Sequence, residues 1–363
     1  MIMETLDAVR PSLALAQQFP LQTIPLDTVK AVFRKPGLVN GVNYRPSRRT
    51  EIVHRFRQMN SRQKRAFLAT VREKDYDLSE IGDDEKADVL ETAYQYVQYQ
   101  FVSKELELSE YRRRSFAVLA ARNRLGIQKA KTPEKQEAVS PLRSHEAMRA
   151  TLGTGSRNGR IFQEISYRPA YHSLTDASDG LAPGAEINFL KPKLRHYDHT
   201  DKTVLDRLDI VGIKSLAPAD ELFSPWSFTV ALDVSRENDP LTGGEGYVLN
   251  GGVNAGKTIA VADSLYFYAL GGVAGGYGGF LPHNRYAAFE LTTGLFAGWG
   301  PLKLQAEVTK SFSSSRFADR MRYRAEAGIS LTQNWGMAAE YLYDENEKGE
   351  DDEEFVTSLR YYF

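Results

Sequence analysis

Several stretches of this sequence carry residue types and spacings that could do chemistry. Tyr167-Arg-Pro-Ala-Tyr-His172, followed by Asp176 and Asp179, is the densest polar cluster in the chain. Tyr167, Arg168, His172 and Asp176 could form a catalytic or binding site, with an imidazole beside a carboxylate. The plainer reading is a hydrogen-bonded turn between strands. Residues 251–258, Gly-Gly-Val-Asn-Ala-Gly-Lys-Thr, match the phosphate-binding pattern G-x-x-x-x-G-K-[ST]. In that chemistry backbone N–H groups wrap a phosphate, Lys257 binds its oxygens and Thr258 holds magnesium. The pattern needs a buried strand before it and a helix after it. Here an alternating run (Ile259, Val261, Leu265, Phe267) follows, so the stretch reads as a glycine-rich turn between two strands.

Weaker candidates complete the set. His196-x-x-His199, with Asp198 and Asp201, has the wrong spacing for two ligands on one strand face and reads as a surface loop. Ser156, among glycines at 153–159, lacks the strand–turn–helix setting of a hydrolase nucleophile. Glycines within 271–279 fit close strand packing or a lumenal gap. Tyr44-Arg-Pro-Ser-Arg-Arg49 and Arg112-Arg-Arg114 read as helix capping and solvated charge, with lipid headgroups or an acidic partner as the alternative. No aromatic interleaving suited to nucleic-acid stacking surrounds them.

Composition narrows the chemistry further. The chain has 363 residues, no cysteine, a net charge of −1 and a mean hydropathy of −0.42. Disulfides, thiolate metal sites and a cysteine nucleophile are excluded within this chain. No metal and no cofactor are expected, and near-neutral charge gives no drive toward nucleic acid. No stretch of about 18 apolar residues exists, so no transmembrane helix is expected. A transmembrane β-barrel remains open, because alternating strands average to a polar composition. The first ten residues lack the order of a secretory signal and read as the middle of a helix, with Leu6, Val9 and Leu13 at helical spacing.

The elements that must position these residues fall into two grammars. Residues 1–128 read as helical. Helices are expected over 61–74 with Ser61 as N-cap, over 83–101 capped by Asp83 or Asp84, and over 109–125 from Ser109 to Gly126. Residues 129–142 read as a charged, proline-containing linker. From 143 to 363 the period becomes two. At 301–309, Leu302, Leu304, Ala306 and Val308 alternate with Lys303, Gln305, Glu307 and Thr309. About twelve such segments are expected, near 144–153, 158–169, 183–195, 203–216, 225–236, 246–256, 258–272, 284–298, 301–311, 319–332, 335–344 and 354–363.

The fold class that follows is α+β: an N-terminal helical segment, then an antiparallel, roughly twelve-stranded transmembrane-type barrel. Aromatics cluster near strand ends on the nominal outward face (Trp226, Trp299, Trp335, Tyr341, Tyr343, Tyr361), as in an interfacial girdle. The opposite face carries Arg320, Arg322, Arg324, Glu326, Lys303, Glu307 and Glu340. Such charges are costly in a dry core and tolerated in a wet or ion-paired lumen. The last strand places Phe355, Leu359, Tyr361 and Phe363 on one face, resembling the C-terminal signal for outer-membrane barrel assembly. The expected setting is the outer membrane with the helical part periplasmic. The expected partners are outer-membrane lipid, the barrel-assembly machinery and a lipoprotein or lipid substrate, without nucleic acid.

Leu6-Asp-Ala-Val-Arg-Pro-Ser-Leu13, Ile24-Pro-Leu-Asp-Thr-Val29, Tyr44-Arg-Pro-Ser47, Ser166-Tyr-Arg-Pro-Ala-Tyr-His172 with Asp176 and Gly180, Ile213-Lys-Ser-Leu-Ala-Pro218 and Pro225-Trp-Ser227 together resemble one family. They are similar to the C-terminal part of bacterial envelope proteins with an Lnb-type periplasmic domain, named after a lipoprotein N-acyltransferase. The resemblance implies a preceding papain-like domain with a catalytic Cys and His, and hence an N-terminally truncated member here. No catalytic residue transfers, because the cysteine is absent. The implied role is a barrel that anchors an acyltransferase- or hydrolase-like domain. A small pore or lipid- or solute-conducting barrel, a soluble β-rich binding protein and an enzyme using His172 are the alternatives.

Overall fold

A computed structural model describes residues 2–19, 23–73, 78, 81–127, 139–238, 244–279, 281–313, 315, 318–346 and 351–363. The chain divides into two compact units, residues 41–138 and residues 1–40 with 139–363. Residues 129–138 of the expected linker lie outside the described residues.

The unit of residues 41–138 contains helices α3 (Arg48–Gln58), α4 (Ser61–Val71), α5 (Asp83–Val102) and α6 (Leu108–Arg124). Three of these starts, those of α3, α4 and α5, are fixed by a side-chain cap. The Ser47 hydroxyl accepts the Thr50 N–H at 3.1 Å, and Asn60 caps α4 by accepting from Arg62 and Gln63. The cap therefore lies one residue before the expected Ser61, because the Asn60 amide oxygen and the Gln63 side chain satisfy each other's end. The Glu85 carboxylate accepts the Gly82 N–H, so α5 is capped by its own third residue rather than by Asp83 or Asp84. Gly126, at φ +69°, ends α6 in the left-handed region. Ile52, Phe56, Phe67, Leu90 and Val97 form the buried interior, with the Phe56 and Phe67 rings 5.3 Å apart.

The other unit holds α1 (Ile2–Val9), α2 (Pro25–Phe33) and all the strands. The expected helical segment 1–128 is thus divided between the units. Its first forty residues join the strands, and buried Lys30 on α2 shows one cause. Its ammonium donates to the Ser144 and His145 carbonyls at 2.8 Å each and lies 3.6 Å from Glu146.

Twelve long antiparallel strands form one closed ring. They are β1 (Arg149–Arg157), β2 (Arg160–Arg168), β4 (Ala185–Tyr197), β5 (Lys202–Ser215), β7 (Ser227–Asn238), β8 (Glu245–Ala262), β9 (Leu265–Tyr277), β10 (Arg285–Trp299), β11 (Leu302–Phe312), β12 (Arg320–Ser330), β13 (Trp335–Asn346) and β14 (Asp352–Tyr362). Two residue pairs, β3 (Tyr171–His172) and β6 (Pro218–Ala219), add short bridges. Each long strand pairs with its sequence neighbour, β1 pairs with β14, and the β2–β4 pairing completes the circuit. Closure removes every free edge, which a spanning sheet requires in lipid.

The barrel is inside out relative to a soluble protein. Leu152, Ile165, Val253, Phe267, Val273, Leu291 and Met337 are exposed on its outer wall, while Arg195, Glu164, Asp233, Glu326 and Arg360 are buried in its interior. Trp226, Trp299, Trp335 and Tyr361 ring the end where both β1 begins and β14 finishes; Tyr247, Tyr277 and Phe312 lie toward the other end. An apolar band between aromatic rings matches a bilayer, not water. Leu304 lies on the outward face and pairs with Ala327. Leu304→Arg should cost about 2–4 kcal/mol and reduce heat-modifiable, folded barrel in membranes. Thr309→Arg, on the lumenal face of the same strand, should insert normally; equal loss for both would contradict this facing.

Candidate functional site

The chain between β2 and β4, residues 169–184, folds back inside the barrel instead of crossing its rim. Leu174 from this inner segment and Leu216 after β5 pack on Tyr266, Tyr268, Leu270 and Phe296 of the inner wall. Gly328 on β12 permits the approach, since a Cβ there would overlap the Thr175 carbonyl. Gly184, at φ +77°, turns the chain into β4 against the Leu216 carbonyl.

Asp176 is the centre of this arrangement. Its side chain has no solvent exposure and accepts from groups on three adjacent strands. Arg149 (β1) and the Tyr362 hydroxyl (β14) each donate to Oδ1 at 2.7 Å. Arg168 (β2) donates to Oδ2 at 2.6 Å, and the Ser173 N–H donates to it at 2.9 Å. Arg360 (β14) reaches Oδ1 at 3.4 Å and gives its other nitrogen to Glu326 at 2.6 Å. Burial alone would raise the Asp176 carboxyl, but the Arg168 and Arg149 guanidinium groups outweigh it and hold the pKa well below the usual range.

Two imidazoles border this carboxylate, outside the spanning strands. His145 Nε2 and His172 Nδ1 are 3.0 Å apart, and the His145 ring lies against Tyr362 at a tilt of 37°, with ring centroids 4.3 Å apart. Burial lowers both pKa values, that of His172 to about 3, so both rings are neutral near pH 7. Sequence reasoning missed His145, Arg149, Arg360 and Tyr362, which lie far from the Asp176 region along the chain.

The lumen beyond the inner segment is a cavity of about 400 Å³. Twelve cationic and twelve acidic side chains line it, so its charge is balanced. Arg320, Arg322, Arg324, Glu326, Glu307 and Glu340 are among them. Arg322 pairs with Asp344 at 2.6 Å, Arg324 with Glu340 at 2.9 Å, and Lys214 with Glu307 at 2.6 Å. Arg195 bridges Glu164 and Glu354 and covers the Phe162 ring at 4.1 Å.

Several expected placements need correction. Tyr167 does not join Arg168, His172 and Asp176: period-two alternation turns it outward, where its hydroxyl meets the Met148 sulfur at 3.3 Å. Lys303 lies at a strand end and donates to the Gly300 carbonyl, away from the cavity lining. Gly251–Thr258 is neither a phosphate loop nor a turn, because all of it lies within β8. Extended backbone cannot aim successive N–H groups at one phosphate, and Lys257 instead donates to Ser224 and Pro225 and lies 4.5 Å from the Trp226 ring centre. Gly272 is needed in β9 because a Cβ would overlap the Val253 carbonyl of β8. His196 lies near Thr203 and Asp201 on an exposed strand end. Phe355, Leu359, Tyr361 and Phe363 all lie on the outer wall, with Tyr361 stacked on Phe363 at 5.7 Å and 4.6 Å from Trp335.

Removing the Asp176 carboxylate would leave three buried guanidinium groups facing one another. Asp176→Ala should therefore destabilise the barrel by about 3–5 kcal/mol in a denaturant or heat-modifiability series. Asp179→Ala, an exposed position three residues on, should stay within about 0.5 kcal/mol. Gly328→Val should behave like Asp176→Ala, because it evicts Thr175 by bulk.

Several solved structures are similar to part of this chain at low identity. The KdgM porin in complex with disordered oligogalacturonate is 7% identical, with 59% of this chain and 99% of that chain covered and a TM-score of 0.35. The NanC porin is 8% identical, with 59% and 100% covered and a TM-score of 0.35. LpxR from Salmonella typhimurium is 12% identical, with 59% and 100% covered and a TM-score of 0.33. No curated protein matches the sequence. Residues 42–134 match a second domain of unknown function, DUF7842. Neither matching family is described as an Lnb-type domain. Residues 138–362, the closed barrel with its inner segment, match the domain of unknown function DUF7840, and the chain belongs to that family.

Proposed function

We propose that the protein is a small outer-membrane conduit for ions or small polar solutes, held closed by its inner segment. The observation that carries this reading is the lumen: a polar cavity of about 400 Å³ with charges of both signs around it. A barrel that served only as an anchor would need no such wall, since apolar packing fills a lumen at lower desolvation cost. The balanced charge favours small zwitterionic or salt-like solutes over a single sign of ion. In this reading outer-membrane lipid surrounds the apolar band, the assembly machinery reads the strand ending at Phe363, and the helical unit is periplasmic.

A second reading has one specific observation in its favour. Asp176 and its donors fill the end of the lumen near Tyr362, as suits a barrel that anchors and does not conduct. The sequence resemblance implies that such a barrel would serve an Lnb-type acyltransferase- or hydrolase-like domain whose cysteine is not in this chain. Conductance in planar bilayers separates the two. The conduit reading expects small, brief openings from the native chain and a several-fold rise for Asp176→Ala. Silence from both, with folded barrel present, would leave the anchor.

A further inference from the structure

We propose that His145, His172 and Asp176 bind one divalent transition-metal ion of the zinc class, which bolts the inner segment to the chain entering β1. Binding itself stands apart from conduction, but the consequence drawn for gating rests on the conduit reading.

The geometry comes first. His145 Nε2, His172 Nδ1 and Asp176 Oδ2 are separated by 3.0, 3.8 and 4.0 Å. A triangle with those sides has a point about 2.1 Å from every corner, which matches zinc–nitrogen and zinc–oxygen bond lengths. The three atoms come from separate places: the approach to β1, the β3 bridge and the turn beyond it. An ion there would tie these places together without rearrangement of the backbone.

Protonation is the second support. His145 Nδ1 lies 2.6 Å from the Glu146 carbonyl oxygen. A carbonyl only accepts, so Nδ1 carries the proton and Nε2 presents its lone pair to His172. A metal-binding imidazole is oriented in this way by a carbonyl on its other nitrogen. Without metal, His172 Nδ1–H donates to His145 Nε2. On binding, His172 loses the Nδ1 proton and gains one at Nε2 from solvent, so the ring remains neutral.

Charge sets which ions fit. Arg149, Arg168 and Arg360 all face Asp176 and oppose a dication. They select against calcium and magnesium, which depend on oxygen ligands and charge. Ions that bond strongly to imidazole nitrogen are favoured. Asp176 Oδ2 must release one donor to ligate, and Arg168 Nη1 already has a second acceptor in the Ser173 hydroxyl at 2.9 Å.

The test uses the full chain folded in detergent, with a histidine-free N-terminal tag and a heat-modifiability check. Cobalt(II) is titrated and its visible absorption followed, then zinc is added in competition. The expected result is one cobalt per chain, displaced by zinc, with affinity weakened more than about tenfold in His145→Gln and again in His172→Gln. The native chain alone can overturn the proposal: folded barrel without a saturable cobalt band, or without zinc displacement, rules the site out. Unchanged affinity in both folded variants would also overturn it. Zinc is then added during conductance recording, where lower open probability is expected from the native chain. Cobalt binding by a chain that shows no openings would sink the conduit reading and keep the metal site; openings without cobalt binding would do the reverse.

Discussion

One buried carboxylate holds the inside of this barrel together. Asp176 neutralises guanidinium groups from β1, β2 and β14, the strands on either side of the seam where the chain's first and last strands meet. An arginine cannot shed its charge, so each of these groups needs a partner inside the lumen. The partner arrives on a segment that would otherwise cross the rim. Closure of the barrel and placement of residues 169–184 are therefore one problem with one solution. The Tyr362 hydroxyl adds a hydrogen bond from the penultimate residue to the same carboxylate.

The second constraint is the solvent on each side of the wall. Lipid outside demands apolar side chains and a full backbone ladder; the lumen receives what is left of a strictly alternating sequence. The interior becomes a lattice of ion pairs because each inward position alternates with a lipid-facing one. Pairs such as Arg322 with Asp344 and Arg324 with Glu340 are cross-strand neighbours on adjoining strands or one step removed, which puts opposite charges within reach. A lumen built this way is rigid where pairs close and wet where they leave space.

The twelve strands were legible because period two is a local signal, repeated often and bounded by polar turns. Most of the inward set is readable too: Arg320, Arg322, Arg324, Glu326, Glu307 and Glu340 line the cavity, and Lys303, at a strand end, does not. What escaped the sequence was whatever depends on distant partners. Asp176 stood out as polar, yet nothing local shows that Arg360 or Tyr362 would reach it from the other end of the chain. Tyr167 and Arg168 are neighbours in the chain, yet adjacent residues on a strand point to opposite faces. The lysine of the phosphate-loop pattern sits in an extended strand, because a short motif fixes residue types and leaves backbone conformation to its surroundings. The first forty residues joined the barrel unit through Lys30, whose buried ammonium meets carbonyls more than a hundred positions away.

The central claim is that the inner segment is docked within the lumen. The native chain has no cysteine, so a single Leu174→Cys thiol can report on it without background. Leu174 is almost fully buried against Tyr266, Tyr268 and Phe296. The measurement is the rate of maleimide labelling of Leu174→Cys in the folded barrel, compared with the same chain in denaturant. The account predicts labelling at least tenfold slower (~1.4 kcal/mol of protection or more) in the folded state. Equal rates in the two states would show that the segment lies outside the lumen and would contradict the account.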